Sequence, residues 1–241
     1  MRSPTPVPRA RRAAAPATRT SVLLVDDHAV VRSGIRTLLQ SEPGIVVVGE
    51  AKDGRQAVAL AKSLDPDVIL MDIGMPNMNG IEATRQIRVV APRSRVLILS
   101  AHSDDHYIES VTALGAVGFV LKQSSLDDLS RAIRLTAKGG TFVSPLVQRR
   151  LLDPVPGPGA GGAPPAKRVP RLSSREAEVL QLVAEGKANK ETAAELGISI
   201  KTVEKHRQRV MSKLDIHDVA GLTRYAVTTG IVECRTRGSD S

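Results

Sequence analysis

Five polar side chains directly follow four short apolar runs of the chain. They are Asp26, Asp27, Asp72, Ser100 and Lys122. If the apolar runs are parallel strands, these positions share the carboxyl edge of one sheet, which is where open α/β sheets bind ligands. Three carboxylates gathered there would repel one another unless a cation lay between them, and hard oxygen ligands favour Mg²⁺. The sequence therefore predicts a magnesium site at this edge.

Asp72 ends the apolar run within residues 68–80, which read VILMDIGMPNMNG. Four apolar residues without polar alternation are typical of a central strand buried on both faces. Lys122 would add a positive charge beside the carboxylates, and the Ser100 hydroxyl could donate a hydrogen bond. Such groups can stabilise a transferring phosphoryl group while the Asp72 carboxylate attacks it. Taken singly, Asp27 could be a helix cap, Ser100 a turn residue and Lys122 a solvated side chain.

Strand-like and helix-like segments alternate over the first 140 residues. The predicted strands are residues 22–25, 45–48, 68–71, 96–99 and 118–121, and the predicted helices are residues 30–40, 54–63, 81–90, 104–114 and 126–137. Asp53, Asn79 and Ser103 are candidate helix caps. Alternation of this kind predicts right-handed βαβ units and an α/β fold with a doubly wound, five-stranded parallel sheet. No GxGxxG or Walker-type motif follows the first strand, which argues against ordinary nucleotide binding.

Four segments resemble the signature segments of response-regulator receiver domains, which have a flavodoxin-like fold. They read VLLVDDH, VILMDIGMP, VLILSAH and GFVLK, in the family's order. The resemblance implies that Asp72 is the phosphoacceptor and that Asp26 and Asp27 hold Mg²⁺ together with Asp72 and the backbone carbonyl of Gly74.

The same resemblance implies roles for three residues on the fourth and fifth predicted strands or directly after them. Ser100 would bond the incoming phosphoryl group, Lys122 would be the family's lysine, and Phe119 would be an aromatic switch that rotates when Ser100 moves inward. Two departures from the family pattern stand out: Gln123 occupies a common proline position, and Gly74 has no side chain. His28, His102 and His106 could suggest a transition metal, but surface or capping positions are favoured.

The last third of the chain has a helical pattern. Ser173 and Glu176 form a predicted capping box, and Gly197 lies in a tight turn between two later helices, which describes a helix-turn-helix. Residues 200–214 carry five basic side chains and one acid. Val203, Val210 and Leu214 should face inward, so the charged side chains would face outward. A solvated helix face is the alternative, but a basic helix at this place in the motif suits the major groove.

Residues 172–214 resemble the LuxR-type DNA-binding domain of NarL/FixJ response regulators. By this resemblance, Lys201 and Thr202 would contact phosphates, and Glu204, Lys205 and Gln208 would lie nearest the bases. Lys190 and Arg209 complete the predicted DNA surface. Residues 219–229 would form a fourth helix that pairs two DNA-bound protomers.

Composition supports a division into two domains of different charge. The net charge is +9 over 241 residues, and residues 166–241 carry 14 basic and 10 acidic side chains, which suggests a polyanion partner for this part. We predict a disordered basic tail at residues 1–20, a receiver domain at 21–145, a Pro/Gly/Ala linker at 146–169, a smaller all-α helix-turn-helix domain at 170–234 and a C-terminal tail at 235–241. One cysteine and no long apolar run suggest a cytoplasmic protein.

These observations predict a DNA-binding response regulator of a two-component system and not an enzyme. A sensor histidine kinase would phosphorylate it, and it would bind promoter half-sites as a homodimer and act with RNA polymerase. An aspartyl-phosphate hydrolase would also use Asp72, but such enzymes usually have a second acid where this chain has Gly74. A constitutive DNA-binding protein with a vestigial receiver is another alternative, and a quorum-sensing regulator would need a different ligand domain.

Overall fold

The computed structural model describes residues 19–100, 117–144 and 172–232. The first two ranges form an α/β domain around a parallel sheet in the order β2-β1-β3-β4-β5-β6. Its strands are β1 (Thr20–Val25), β2 (Ile45–Ala51), β3 (Val68–Asp72), β4 (Arg95–Ser100), β5 (Gly118–Leu121) and β6 (Phe142–Val143). The predicted doubly wound parallel sheet is confirmed, and β3 lies at its centre, buried along its whole length.

The prediction of five strands is wrong by one, because β6 adds a sixth to the described sheet. β6 has two residues and pairs with β5 through Gly118 and Phe142. A strand of two residues is too short to show an alternating apolar pattern, so pairing with its neighbour is what forms it.

Helices cover both faces of the sheet and are α1 (Ala29–Gln40), α2 (Gly54–Leu64), α3 (Gly80–Val90) and α4 (Leu126–Ala137). Two apolar clusters result, one on each face, and β3 contributes alternate residues to them: Ile69 and Met71 to one, Val68 and Leu70 to the other. The predicted caps Asp53 and Asn79 are confirmed, since each side chain accepts a hydrogen bond from the backbone of its helix's first turn.

Residues 172–232 form a helical domain with helices α5 (Ser174–Ala184), α6 (Asn189–Leu196), α7 (Ile200–Leu214) and α8 (Val219–Thr228). The capping box of Ser173 and Glu176 is present at the start of α5. Val203 and Val210 of α7 lie in the apolar core of this domain, as predicted, and Leu214 is partly buried and packs against that core. Gly197, with φ +62°, ends α6 in the left-handed conformation that allows the tight turn into α7.

Several predictions fall outside the described residues. These are the helix at 104–114 with its cap Ser103, the histidines His102 and His106, the linker at 146–169, most of the N-terminal tail and the C-terminal tail. Among the helices of the described ranges, none has the length and apolar content needed to cross a membrane.

Candidate functional site

The predicted acidic residues lie together at the carboxyl edge of the sheet. Asp26 follows β1 and Asp72 is the last residue of β3, and their exposed fractions are 2% and 3%. Carboxylate oxygens of Asp26, Asp27 and Asp72 and a ring nitrogen of His28 all lie within 4.8 Å of one another. The side chains that the sequence analysis grouped by their positions after strands are therefore close in space.

Lys122 joins two of these carboxylates. Its Nζ lies 2.8 Å from Asp26 Oδ2 and 3.1 Å from Asp72 Oδ2. Burial by itself would lower the pKa of Lys122, but the carboxylates of Asp72 and Asp26 outweigh it and raise that pKa above its ordinary value of 10.5. The ammonium is thus held charged between the two acids.

Backbone hydrogen bonds fix both acids and the lysine in place. Asp72 Oδ1 accepts the N–H of Ile73 at 2.9 Å, and Asp26 Oδ1 accepts the N–H of His28 at 2.8 Å. The Lys122 N–H donates to the carbonyl of the residue that ends β4, at 2.7 Å. His28 is the N-cap residue of α1, where its half-exposed ring contacts Asp27 at 2.8 Å. The ring makes no capping hydrogen bond to α1, and it lies within the group of side chains that could hold a metal ion, so the choice between the two interpretations of His28 stays a prediction.

The donor set suits a divalent cation with oxygen ligands. The group contains three carboxylates, of which two contact the ammonium of Lys122, so a divalent cation would offset the remaining negative charge. Gly74 is buried in the loop directly after β3, two residues beyond Asp72. Its backbone is therefore close enough along the chain to contribute a carbonyl ligand beside the carboxylates.

Ser100 and Phe119 lie on neighbouring strands near this cluster. Ser100 ends β4, which pairs with β3 on one side and with β5 on the other. Both side chains are buried, with 4% of each residue exposed. The predicted hydroxyl therefore lies at the same sheet edge as Asp72 and Lys122, and Phe119 packs in the core on one face of the sheet.

The raised pKa of Lys122 predicts an alkaline dependence of stability. The ion pairs of Lys122 contribute fully to the stability of the fold below the unfolded-state pKa of 10.5. That stabilisation is lost as the pH rises through the higher folded-state pKa. We expect the difference in unfolding free energy between wild type and Lys122→Met to be smaller at about pH 11.5 than at about pH 8. Denaturant titrations without Mg²⁺ would measure it, and an unchanged difference would contradict the pairing.

The predicted DNA residues of the helical domain lie on α7 and on α6, and most of them are exposed. Lys190, Lys201, Glu204, Lys205, Gln208 and Arg209 are exposed, and Thr202 is partly buried. Thr202 contacts the helix cap, since its hydroxyl lies 2.8 Å from the Ser199 hydroxyl.

Not every basic side chain of α7 is available to a polyanion. Lys213 Nζ lies 2.6 Å from Glu176 Oε2, so its charge is used within the helical domain. Burial alone would raise the pKa of Glu176, but hydrogen bonds from Lys213 and Ser173 lower it, which keeps the carboxylate charged. The free cationic surface is therefore the part of α7 that carries Lys201, Lys205 and Arg209.

Two residues of α5 that the sequence analysis did not single out are buried against the α/β domain. They are Glu178 and Gln181, with 6% and 2% of each residue exposed. The signal available in the sequence was that apolar residues flank Gln181 on both sides, as expected of a helix buried on more than one face. The surface that covers these side chains could not be identified from that pattern.

Comparison with known proteins finds two family models that match this chain. One, described as "Response regulator receiver domain", matches residues 22–134, and the other, described as "Bacterial regulatory proteins, luxR family", matches residues 170–226. These ranges contain the acid cluster and the exposed surface of α7, respectively.

Relatives and a solved structure that match along most of their length agree with these two family matches. The transcriptional regulatory protein LiaR of Bacillus subtilis is 41% identical over 205 residues, covering 85% of this chain and 95% of LiaR. The transcriptional regulatory protein DegU of Brevibacillus brevis is 35% identical over 228 residues, covering 90% of this chain and 97% of DegU. The structure of the two-component response regulator RcsB–DNA complex is 30% identical, covers 88% of this chain and 98% of that one, and has a TM-score of 0.54.

Proposed function

The chain belongs to the NarL/FixJ-type response regulators, which are DNA-binding transcription regulators of two-component systems, and we propose that Asp72 receives the signal as a phosphoryl group. The donor in the cell is a sensor histidine kinase. The observation that carries the proposal is the buried Asp72 carboxylate at the end of the central strand, with the Lys122 ammonium 3.1 Å away.

The chemistry at Asp72 is a displacement at phosphorus. A carboxylate oxygen of Asp72 forms a bond to phosphorus, and the bond from phosphorus to the donor's imidazole nitrogen breaks. The electron pair of that bond stays on the imidazole, which needs no acid from this chain if it leaves already protonated at its other nitrogen. Lys122 stabilises the negative charge of the phosphoryl oxygens, and the Ser100 hydroxyl donates a hydrogen bond to one of them.

The acid cluster is proposed to hold Mg²⁺ through Asp26, Asp27, Asp72 and the carbonyl of Gly74. The ion would neutralise charge on the phosphoryl oxygens when bound. Without a compensating dication, three carboxylates beside one ammonium would repel an anionic donor. Ser100 and Phe119 are proposed to change position after phosphorylation and to alter the α/β domain's contacts.

The helical domain is proposed to bind DNA through α7. Lys201 and Thr202 contact phosphates, whereas Glu204, Lys205 and Gln208 lie nearest the base edges in the major groove, and Lys190 and Arg209 add phosphate contacts. Two chains pair through α8, so that each recognition helix of the homodimer reads one half-site. The proposed domain boundaries are residues 21–145 and 170–234, and the protein acts in the cytoplasm with RNA polymerase.

Replacing Lys205 with alanine should weaken sequence-specific DNA binding. Removing a side chain that reaches a base edge costs about 1–3 kcal/mol, so we expect the dissociation constant to rise about five-fold or more. Anisotropy titrations at one salt concentration would measure it, with a duplex selected from a random library by the full-length chain. Repeating them with acetyl phosphate and Mg²⁺ tests the regulation, and we expect tighter binding with the donor.

Lys62→Ala is the matched control, because Lys62 is an exposed lysine of α2 in the other domain. It removes the same charge and should leave DNA affinity near the wild-type value. If Lys205→Ala binds the selected duplex as tightly as Lys62→Ala does, α7 does not read the groove. If the donor leaves wild-type affinity unchanged, the receiver does not control DNA binding.

A further inference from the structure

Arg32 of α1 turns back onto the backbone of the acid cluster. Its Nη1 donates to the backbone carbonyl of Asp26 at 2.7 Å, and 19% of its side chain is exposed. An arginine on the outside of a helix usually keeps its guanidinium in water, so an arginine that is mostly buried and aimed at one carbonyl indicates a specific role. That carbonyl belongs to one of the carboxylate residues of the proposed Mg²⁺ site.

The carbonyl is part of the peptide unit that joins Asp26 to Asp27. Because a peptide unit is planar, holding the carbonyl oxygen fixes the plane through which the chain passes from one acid to the next. The plane in turn sets the directions in which the two side chains leave the backbone. Their carboxylate oxygens must converge to hold one cation, and in this structure they lie within 4.8 Å of each other.

Asp26 is held at its other polar atoms as well. Its N–H donates to the carbonyl of Ala51 at 3.1 Å, and its Oδ1 accepts the N–H of His28 at 2.8 Å. Its Oδ2 lies 2.8 Å from Lys122 Nζ. Arg32 supplies the remaining contact, at the carbonyl. Since only 2% of Asp26 is exposed, loss of this donor would leave a buried acceptor to find a new partner by turning the peptide.

Glu50 holds the guanidinium of Arg32 in place. It lies near the end of β2, where it pairs with Leu24 of β1. Its Oε2 accepts from Arg32 Nε at 3.1 Å, and its Oε1 accepts from Arg36 Nη1 at 2.8 Å. A planar guanidinium donates in two directions at once, so Arg32 connects a strand of the sheet to the peptide between the two acids.

We propose that Arg32 is a positioning residue for the Mg²⁺ site. It holds the peptide between Asp26 and Asp27 so that both carboxylates converge, and Glu50 keeps it in that orientation. This inference rests on the proposed Mg²⁺ site. The contact that carries it is with the backbone of Asp26, so Arg32 acts on the metal through that residue.

A positioning role and a direct effect of charge predict opposite results. Arg32 is a cation, and through space it would repel a divalent cation at the neighbouring carboxylates. If charge were its main effect, removing Arg32 would strengthen Mg²⁺ binding. If Arg32 holds the peptide in place, removing it weakens Mg²⁺ binding. The direction of the change therefore decides between the two.

The test measures the Mg²⁺ affinity of full-length variants by titration calorimetry with magnesium chloride and no phosphodonor. Arg32→Met keeps a long side chain but removes its donors. Its dissociation constant for Mg²⁺ should be about ten-fold above that of wild type, as for other groups that hydrogen-bond to metal-binding residues. Arg32→Lys keeps one donor for the Asp26 carbonyl but not the planar group that also binds Glu50, so it should restore part of the affinity.

Arg131→Met is the matched control, because Arg131 is an exposed arginine of α4. It removes the same charge and should bind Mg²⁺ as wild type does. Thermal unfolding without Mg²⁺ shows that each variant is folded at the titration temperature. If Arg32→Met does not fold, Arg32→Gln replaces it, with the same expected direction.

Labelling from acetyl phosphate separates positioning of the metal site from a general defect. The Mg²⁺ concentration that gives half the maximal rate should rise about ten-fold in Arg32→Met. The rate at saturating Mg²⁺ should stay within about two-fold of wild type, because separate contacts with Ile73 and Lys122 hold Asp72.

The outcomes distinguish this inference from the proposed metal site. If wild type binds no Mg²⁺, the proposed site fails and the role of Arg32 falls with it. If wild type binds Mg²⁺ and Arg32→Met binds it as tightly or more tightly, the inference alone is overturned. A lower rate at saturating Mg²⁺ with an unchanged half-maximal concentration would also overturn it.

Discussion

Replacing Asp72 with asparagine should reduce phosphate incorporation from acetyl phosphate and Mg²⁺ to background. An amide oxygen is a far weaker nucleophile than a carboxylate and cannot yield the same stable acyl phosphate. The side chain keeps its size, and Lys122 retains Asp26 at 2.8 Å, so the fold should persist. Labelled donor and gel separation of the full-length chain would measure incorporation directly.

Asp127→Asn is the matched control for this experiment. Asp127 is an exposed residue in the first turn of α4, so the same chemical change there should leave labelling at the wild-type level. Asp72→Asn should also lose the gain in DNA affinity that the donor produces in wild type. Continued labelling of Asp72→Asn would assign the phosphoryl group to another residue, for which the neighbouring Asp26 and Asp27 are the first candidates.

The location of the acid cluster was predictable because it depends on a simple property of parallel sheets. Apolar runs identify the buried strands, and all strands of a parallel sheet end at one edge. Asp26, Asp72 and Lys122 follow three such runs, so their proximity requires only that the runs pair in parallel. Strand order was not needed for that conclusion, and neither was the conformation of any loop.

The docking of α5 could not be predicted on the same basis. The apolar neighbours of Gln181 indicate a helix buried on more than one face, but the surface that covers its polar residues depends on where a separate domain lies. Gln181 contacts Met75 and Asn79 across more than 100 positions of sequence. No local pattern determines such a pairing, because hydrogen-bonding groups of a loop backbone are present in every sequence. The short strand β6 escaped prediction for a related reason, since only its pairing with β5 defines it.

Gly80 should be the position in the α/β domain where adding one methyl group is most harmful. It begins α3, and its N–H donates to the carbonyl of Ile73 at 2.9 Å, which closes the loop after Asp72. A Cβ at this residue would lie 2.1 Å from the carbonyl oxygen of Asp72 and 3.0 Å from the Cα of Ile73. Both are backbone atoms beside the central strand, so a rotamer change cannot relieve the overlap.

We therefore expect Gly80→Ala to destabilise the α/β domain by about 3 kcal/mol or more. The midpoint temperature of that domain's thermal unfolding should fall by roughly 10 °C. Phosphate incorporation should also fall, because Asp72 must move to accommodate the added methyl group. Calorimetry of the full-length chain would measure the transition. Gly34→Ala is the matched control, since a Cβ there meets nothing within 4 Å in α1.

The two glycine variants should change the stability of the α/β domain in opposite directions. Alanine at Gly34 replaces a flexible residue within a helix and should stabilise the domain by up to about 1 kcal/mol, which also identifies the transition that belongs to it. Gly80→Ala should lower that same transition. If both variants raise the transition temperature, residue 80 does not lie against the carbonyl oxygen of Asp72. The loop between β3 and α3 would then have a different shape from the one that contacts α5.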